Sequence, residues 1–311
     1  MTQTHRPVLV KEVIDLLAAC NGGVFVDATF GGGGHSRAIL AAHPNNEVLA
    51  IDRDPEAVAR GVDAHADDSA RLTLVNGDYR DLESILLAQG GLQPDGLLAD
   101  LGISTLQLLD PERGFSFSRP GPLDMRMNRN TGRTAADLVR DLPERELRRL
   151  LARFGEEPAA RRITRAIVAR RERRPFVTTD DLADVVRDAA GPSRHRHIHP
   201  ATRTFQALRI AVNDELSGLS EFVETAAGAV RPGGRVVFIA FHSLEDRPVK
   251  QTLRSLAHRC ICPPDLPICG CGRVDRVDVL TRRAVRPGEA EQQENPASRS
   301  ARLRAAERLA A

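Results

Sequence analysis

The chain lacks tryptophan, has one tyrosine and two lysines, and contains no long uninterrupted apolar run. Because no segment approaches the roughly 18 apolar residues of a membrane span, the sequence predicts no transmembrane helix. The first residues, Met-Thr-Gln-Thr-His-Arg-Pro, lack the charged and then apolar layout of a signal peptide, so we expect a cytoplasmic protein. Aromatic residues make up only 4% of the chain, which leaves few side chains to stack on nucleobases.

The overall charge is nearly balanced and identifies no partner by itself. The 311 residues carry a formal net charge of +2, which gives no electrostatic argument for nucleic-acid binding. Nearly all the positive charge is arginine, a residue that forks onto phosphates, but genomic base composition produces the same bias. The length accommodates one large domain with an insertion, or two domains.

Four consecutive glycines, Gly31–Gly34, follow an apolar segment and precede a helical one. Glycine lets the backbone approach a ligand that a Cβ atom would push away, and a helix N-terminus offers free N–H groups to an anion. Asp52 ends the next apolar segment, where a carboxylate accepts hydrogen bonds from both hydroxyls of a ribose. The alternative is a tight turn without a ligand, but four glycines cost backbone entropy that a plain turn does not require. The pattern therefore favours a nucleotide-cofactor site.

The spacing after the glycine run narrows the choice of cofactor. A dinucleotide fingerprint requires Gly-x-Gly-x-x-Gly or Ala, but its last position falls on Ser36 or Arg37 in the two registers available. No Lys-Ser or Lys-Thr pair follows to complete a phosphate-binding P-loop. S-adenosylmethionine suits such a loop, since it carries a carboxylate instead of phosphates together with an adenosine ribose. We therefore predict this methyl donor as the cofactor.

Apolar segments alternate with helical ones through the first hundred residues. Strands are predicted at 24–29, 47–51, 71–75 and 96–101. Such alternation is typical of a parallel sheet covered by helices on both faces, whose ligands bind beyond the carboxyl ends of the strands. At the ends of these strands, or just after them, the sequence has Gly31–His35, Asp52, Asp78-Tyr79 and Asp100. We expect all four to line one crevice.

The alternation stops at about residue 110. Helices are predicted at 134–153, 158–173, 179–190 and 203–227, and a strand resumes at 232–241. The pattern predicts an α/β fold with an inserted all-helical domain, divided into residues 1–109, 110–215 and 216–311. The polar last thirty residues favour irregular structure, with a short helix near Ser300–Leu309.

Many segments in one order resemble a single family. They are His5–Leu9, Asp27–Ser36, Ile51–Pro55, Asp100–Ser104, Arg113–Phe117, Pro122–Met127, His199–Arg209, Phe241–Arg247 and Asn295–Arg304. Over nearly its whole length the chain resembles the bacterial 16S ribosomal RNA (cytosine-N4) methyltransferases, the MraW-type small-subunit methyltransferase H family. The resemblance implies a class I S-adenosylmethionine-dependent methyltransferase, with a Rossmann-like, mostly parallel sheet and an inserted substrate-recognition domain. It implies as substrate a cytidine in the decoding region of 16S ribosomal RNA, either free or in the small ribosomal subunit.

The resemblance also implies a set of cofactor contacts. By position they fall on Gly33, Gly34, His35, Asp52, Tyr79, Asp100 and Gln107. After the fourth strand the family usually has Asp-Leu-Gly-Val-Ser-Ser-Pro-Gln-Leu-Asp, whereas this chain has Thr105, Leu106 and Leu109 in that loop. Gln107 is therefore carried over onto a loop that has lost a proline and an acidic residue.

Methyl transfer to cytosine requires its exocyclic amine to be aligned with the methyl group, and the amine hydrogens need acceptors. Asp100 and Ser104 follow the fourth strand, where amino-methyltransferases place such acceptors. His242 and Ser243 follow the resumed strand, and we hypothesise that they line the target-base pocket. A buried histidine bonded to the backbone is an equal alternative for His242. Asp246 is predicted to cap the next helix.

Arginine-rich segments at 161–174 and 194–199 predict a phosphate-binding surface, with a solvated helix exterior as the alternative. Phe115, Phe117 and Phe205 are candidates for base stacking, although a core position is the stronger interpretation for each.

Four cysteines lie close together near the C-terminus: Cys260, Cys262, Cys269 and Cys271. This density favours a structural Zn²⁺ site over disulfides in the cytosol, although Cys-x-Cys is tighter than the usual zinc knuckle. Many members of the family lack these cysteines, so such a metal is not expected to serve the chemistry.

Two other functions remain open from the sequence. A DNA amino-methyltransferase normally carries Pro-Pro-aromatic in its target-amine motif, where this chain has Leu101-Gly-Ile103. A non-enzymatic RNA-binding assembly factor with the same fold is disfavoured by the intact glycine run, Asp52 and Asp100. The oligomeric state is left open.

Overall fold

The computed structural model describes residues 7–191, 199–257 and 274–310. The chain divides into two compact units, Met1–Gly102 with Ser217–Ala311 and Ile103–Leu216. We call them the sheet unit and the helical unit. The division falls before Ile103 rather than after residue 109, because Ile103 and Leu108 pack against the core of the helical unit. Within the described ranges, no helix has both the length and the apolar character needed to cross a membrane.

The sheet unit is built on a seven-stranded sheet in the order β3-β2-β1-β4-β5-β7-β6. The strands are β1 Gly23–Asp27, β2 Asn46–Asp52, β3 Leu72–Asn76, β4 Gly96–Asp100, β5 Arg235–Ala240, β6 Val277–Val279 and β7 Arg302–Arg308. Strands β1 to β5 are parallel, whereas β7 runs antiparallel to both β5 and β6. The carboxyl ends of the five parallel strands therefore meet at one edge of the sheet.

The predicted parallel strands are confirmed. β1 to β4 begin and end within two residues of the predicted bounds, and β5 lies inside the resumed apolar segment. Helices cover the sheet, so strands such as β4 and β5 are buried on both faces and are almost continuously apolar. That continuous apolar character made them recognisable in the sequence.

The prediction for the last thirty residues is wrong. Residues 302–308 form β7 instead of a short helix, and residues 302–307 pair with the whole length of β5. Leu303 and Ala305 are fully buried in the core of the sheet unit. The arginine- and alanine-rich sequence has no strand propensity of its own, and burial between two strands decides its conformation.

Helices account for most of the remaining described residues. They are α1 Val10–Leu17, α2 Gly34–Ala42, α3 Pro55–Ala64, α4 Leu82–Ala88, α5 Thr105–Leu109, α6 Ala135–Asp141, α7 Glu144–Gly155, α8 Ala160–Arg171, α9 Thr179–Ala190, α10 Thr202–Asn213, α11 Leu219–Ala229, α12 Ser243–Ala257 and α13 Glu289–Glu294. The predicted helix 134–153 is two helices, since Pro143 cannot continue α6 and instead precedes α7. The predicted helix 203–227 is also two, because the chain turns at Asp214 with a positive φ of 49°.

The helical unit has its own apolar core. Leu147 and Leu151 of α7, Ile163 and Ile167 of α8, and Leu182 of α9 are all fully buried in it. Helices α7 and α10 pack together, as do α7 and α8. The unit therefore buries its amphipathic helices against one another.

Candidate active site

The glycine run forms the turn between β1 and α2. Gly33 has a φ of 72°, in the left-handed region, and its N–H donates to the Phe30 carbonyl at 2.8 Å. A Cβ atom at Gly33 would lie 2.5 Å from Nε2 of His65 and 2.7 Å from the Phe30 ring. Gly34 begins α2 and is packed against Pro7, which lies 3.0 Å from the position of a Cβ. Both the backbone conformation and the space at Gly33 thus require glycine.

Asp52 ties this glycine loop to the end of β2. Its carboxylate accepts hydrogen bonds from the N–H of Gly31 at 2.6 Å and from the N–H of Asp54 at 2.8 Å. Burial raises the pKa of Asp52 to about 6, although both backbone hydrogen bonds favour the ionised form. The carboxylate is consequently fixed in position beside the glycine loop, as a ribose-binding acid requires.

A second buried carboxylate supports the loop from β1. Asp27 accepts a hydrogen bond from the Ser36 hydroxyl at 2.7 Å and one from the Thr29 N–H at 3.2 Å. Burial raises the pKa of Asp27 above its usual value. The Asp100 N–H in turn donates to Thr29 Oγ1 at 2.6 Å, so the ends of β1 and β4 are joined. The cofactor contacts implied by the resemblance did not include Asp27, which lies inside the predicted strand 24–29 and ends the observed β1.

His35 lies in the first turn of α2 and is only 6% exposed. Its Nε2 atom is 3.5 Å from Oδ2 of Asp100. Burial lowers the pKa of the His35 imidazole, but the neighbouring carboxylates of Asp100 and Asp27 outweigh it and raise the pKa above the usual value. The other carboxylate oxygen of Asp100, Oδ1, is buried and has no hydrogen-bond partner within the described ranges. A ligand that donates a hydrogen bond therefore fits at Asp100.

Tyr79 follows β3, at the same edge of the sheet. Its ring packs against Phe222 of α11, with ring centroids 4.4 Å apart. Asp78 accepts a hydrogen bond from the Arg80 N–H at 3.0 Å and pairs with the Arg80 guanidinium at 2.8 Å. Although burial acts in the opposite direction, Arg80 and Arg53 hold the pKa of Asp78 below its usual value. The structure thus brings Gly33, His35, Asp52, Tyr79 and Asp100 to the carboxyl ends of neighbouring strands.

Ser104 and Gln107 belong to the helical unit, where they form a capping box at the start of α5. The Gln107 N–H donates to Ser104 Oγ at 3.2 Å, and the Ser104 N–H donates to Gln107 Oε1 at 3.1 Å. This reciprocal pair satisfies two N–H groups that a helix start leaves free. It gives both side chains a structural role, and their assignment to the active site stays a prediction.

His242 and Ser243 follow β5, next in the sheet to β4. His242 Nε2 lies 3.1 Å from Oε1 of Glu245, whose second oxygen accepts the Phe241 N–H at 2.9 Å. Glu245 is only 2% exposed, so this carboxylate orients the imidazole. Ser243 is the first residue of α12. Sequence reasoning missed Glu245, although its position three residues after His242 at a helix start indicates such a contact.

The prediction that Asp246 caps α12 is wrong. Asp246 lies within α12, and its carboxylate accepts hydrogen bonds from Arg304 of β7 at 2.6 and 3.1 Å. Arg302 lies 3.4 Å from the same carboxylate. This buried ion pair joins α12 to β7. Because Asp246 and Arg304 are far apart in the sequence, no local sequence pattern predicts their contact.

The arginines of α8 divide into two groups. Arg171 donates to the carbonyls of Val139 and Leu142 at the end of α6, and Arg162 donates to the Ala190 carbonyl at the end of α9. Arg170 pairs with Asp181 at 3.4 Å. These three hold the helical unit together, whereas Arg161 and Arg165 are exposed. Arg194 and the residues around it lie outside the described ranges.

The phenylalanines considered for base stacking lie mostly in the core. Phe115 and Phe205 are buried, and Phe117 packs against Phe205 and His199 at centroid distances of 4.8 and 4.6 Å. The four clustered cysteines, Cys260, Cys262, Cys269 and Cys271, also lie outside the described residues.

A sheet in this order, with β7 reversed and a glycine loop after β1, defines a class I methyltransferase. Comparison with known sequences then identifies the family. The profile of the MraW methylase family matches residues 2–309, and the chain belongs to that family.

Individual relatives match this chain over nearly their full lengths. The Ribosomal RNA small subunit methyltransferase H of Thermomicrobium roseum is 52% identical over 311 residues, covering 100% of this chain and 95% of that protein. The protein of the same name from Geobacter sulfurreducens is 49% identical, over 99% of this chain and 100% of the relative. Among solved structures, an rRNA methylase from Streptococcus thermophilus covers 99% of this chain and 100% of its own, with 12% identity and a TM-score of 0.42.

Proposed function

We propose that the protein transfers a methyl group from S-adenosylmethionine to the exocyclic N4 of a cytidine in the decoding region of 16S ribosomal RNA. Membership of the MraW family carries this proposal, since the relatives quoted above are named as small-subunit ribosomal RNA methyltransferases. The choice of N4 and of the decoding region follows the resemblance of the sequence motifs. A cytoplasmic location and a substrate of ribosomal RNA or small subunits belong to the same proposal.

The residues at the carboxyl ends of the strands fit S-adenosylmethionine. The glycine loop at Gly33 and Gly34 leaves no space for side chains, and the α2 N-terminus suits the carboxylate of the cofactor. Asp52 is the acceptor for the ribose hydroxyls, while Tyr79 and His35 flank the crevice. The unpartnered Asp100 Oδ1 accepts a hydrogen bond from a bound ligand. We assign Gln107 to the same role from the family resemblance alone.

The bound cofactor supplies an electrophilic methyl group, and no metal is needed for its displacement. The cytosine amine is a poor nucleophile because its lone pair is shared with the ring. The protein therefore has to orient the amine and accept its hydrogens, and orientation alone supplies several kcal/mol. Asp100, Ser104, His242 and Ser243 are the acceptors we assign to this task, with Glu245 holding the His242 imidazole.

Labelled methyl transfer onto naked ribosomal RNA, assembled small subunits and DNA tests the proposal. We expect methylated cytidine in ribosomal RNA, in one or both of the RNA substrates. Transfer to DNA alone would support the DNA amino-methyltransferase, and transfer to none of them would support an assembly factor without activity. Either outcome defeats the proposal.

The assignment of His242 is tested by His242→Ala. We expect a fall in kcat, while the affinity for S-adenosylmethionine stays near the wild-type value because the cofactor contacts are unchanged. A matched Glu245→Gln variant keeps the size of the side chain but weakens its hold on the imidazole, so it should lower kcat by less. Full turnover by His242→Ala would remove His242 from the catalytic set.

We also propose structural zinc at Cys260, Cys262, Cys269 and Cys271 on the basis of their spacing. Metal analysis of protein purified without added metal is expected to give about one zinc per chain. A stoichiometry near zero ends this proposal and leaves the methyltransferase assignment untouched.

A further inference from the structure

Positive charge is concentrated in the helical unit. Residues 103–216 contain 22 arginines, no lysine and 16 acidic residues, which gives this segment a formal net charge of +6. The whole chain carries only +2, so the rest of the sequence is net acidic. The near-balance of the complete chain therefore conceals a strongly basic unit.

Helices α6 and α9 each contain one arginine, and both arginines are paired with neighbouring aspartates. Arg140 on α6 pairs with Asp137 and Asp141, both at 2.7 Å. Arg187 on α9 pairs with Asp184 at 2.7 Å. Arg133, just before α6, pairs with Asp141 at 2.8 Å. Neither helix therefore carries unbalanced positive charge, and α9, with four aspartates and one arginine, is net acidic.

The arginines on the outer faces of α7 and α8 have no such partners. Seven arginines of the two helices are exposed, of which Arg153 lies over the Phe154 ring and Arg162 donates to the Ala190 carbonyl. The other five are Arg145, Arg148, Arg149, Arg161 and Arg165. None of these five side chains has a hydrogen bond or an ion pair within the described ranges. Arg119 and Arg173, which lie outside these helices, are also exposed, but α7 and α8 carry the larger group of such arginines.

The helical period places these arginines on the outside of the unit. In α7, Arg145 and Arg149 are four residues apart, while Leu147 and Leu151 point into the core. In α8, Arg161 and Arg165 have the same spacing, opposite the buried Ile163 and Ile167. Helices α7 and α8 pack together and are joined by only residues 156–159, so the two sets of arginines lie on neighbouring helices.

We propose that this surface, the α7–α8 arginine surface (Arg145, Arg148, Arg149, Arg161 and Arg165), binds the phosphate backbone of the RNA substrate. The inference rests on the proposed function, which supplies RNA as the substrate. Guanidinium groups pair bidentately with phosphate oxygens, and neutralised phosphates release counterions. Binding of this kind is independent of base identity, which suits a surface without aromatic side chains for stacking.

The chemistry of the surface favours RNA over a protein partner. Stable protein interfaces have an apolar centre, often built on aromatic anchors. The exposed large apolar side chains described in the helical unit are Leu106, Leu109 and Val177, and none lies on α7 or α8. A basic surface without an apolar centre is typical of contact with a phosphate backbone.

Two triple variants of equal charge test the proposal. The first is Arg149→Gln, Arg161→Gln and Arg165→Gln, which removes three unpaired arginines from the surface. The matched control is Arg133→Gln, Arg140→Gln and Arg187→Gln, which removes three arginines already paired with aspartates. Binding to unmethylated small-subunit ribosomal RNA is measured across a series of salt concentrations, together with kcat and KM for methyl transfer.

We expect the surface variant to bind about tenfold more weakly or worse at low salt and its log–log salt slope to fall by about 2, since each phosphate contact contributes about 0.7 to 0.9. Its KM should rise while kcat at saturating RNA is retained, and its thermal midpoint should match wild type. The control should keep the wild-type slope.

Equal losses of RNA affinity in both variants, or no loss in either, would overturn the proposal that the α7–α8 arginine surface binds RNA phosphates. Failure of the wild-type protein to methylate RNA would instead overturn the proposed function, and a surface-specific change of slope would still report phosphate binding.

Discussion

At the scale of single residues, Gly33 and Gly34 of the cofactor loop are constrained in different ways. Gly33 is held in the left-handed region with a φ of 72°, and buried rings occupy the space where a side chain would lie. Gly34 has an ordinary helical conformation and is restricted by Pro7 alone. The need for glycine is therefore strictest at Gly33, directly at the start of α2.

We predict that Gly33→Ala destabilises the fold and weakens S-adenosylmethionine binding by at least about tenfold. A left-handed alanine costs roughly 1–2 kcal/mol, and here the new Cβ also displaces His65 and Phe30. Gly90→Ala is the matched control, because Gly90 has a φ of 77° but nothing within 4 Å of its Cβ position. Denaturant unfolding and calorimetric titration measure both effects. If the two variants lose the same stability and bind the cofactor equally, the packing argument fails.

Asp52 makes cofactor binding sensitive to acid. Burial raises its pKa to about 6, so the carboxylate is protonated as the pH falls through 6 and loses acceptor capacity for the ribose hydroxyls. We expect the affinity for S-adenosylmethionine to be constant above this range and to drop about tenfold from pH 7 to pH 5. Asp52→Asn should bind more weakly at neutral pH and show no inflection near pH 6. An unchanged inflection in that variant would assign the titration to another group, such as His35.

How far the site could be predicted depends on the kind of contact. Asp52 and Asp100 were predictable because parallel strands place their carboxyl ends at one edge, whatever the details of packing. Glu245 was missed because it acts by orienting the His242 imidazole, and that contact depends on side-chain geometry. Gln107 was predicted as a cofactor contact only from the family resemblance. In the structure, its side chain accepts a hydrogen bond that caps α5.

At the scale of elements, β7 shows where sequence patterns stop being sufficient. Its residues, Arg-Leu-Arg-Ala-Ala-Glu-Arg, favour a helix by propensity, yet they form a strand that pairs with both β5 and β6. The arginines are tolerated because Arg304 has a buried carboxylate partner in α12. Strands β1 to β4 were predictable because their apolar runs and flanking turns are local, while β7 depends on partners distant in the sequence.

The buried pair between α12 and β7 gives a prediction at this scale. Arg304→Ala leaves the carboxylate of Asp246 buried without its main partner, and we expect a loss of about 3–5 kcal/mol in the free energy of unfolding. Arg302→Ala is the matched control, since its side chain is 32% exposed against 10% for Arg304, and should cost about 1 kcal/mol or less. Urea unfolding at neutral pH measures both. Equal costs would show that the Asp246–Arg304 pair does not anchor the strand.

At the scale of the whole molecule, the chain leaves the sheet after β4 and returns to it at β5. The residues between them build a core in which every buried apolar member lies between Phe115 and Leu208. The sequence predicted this organisation, because strand signals stop near residue 110 and resume near 232. The structural division lies before Ile103, since Ile103 and Leu108 are partly buried against this core, which depends on tertiary packing.

A self-contained core implies that the helical unit folds without the rest of the chain. We predict that a fragment of residues 103–216 is helical by circular dichroism and unfolds cooperatively on heating. Leu147→Ala removes a fully buried side chain from this core and should cost the fragment about 2–5 kcal/mol. Leu109→Ala makes the same chemical change at a side chain that is 50% exposed, so it should leave the unfolding midpoint nearly unchanged. A fragment without a cooperative transition, or one in which both variants behave alike, would mean that the core is completed only by the sheet unit.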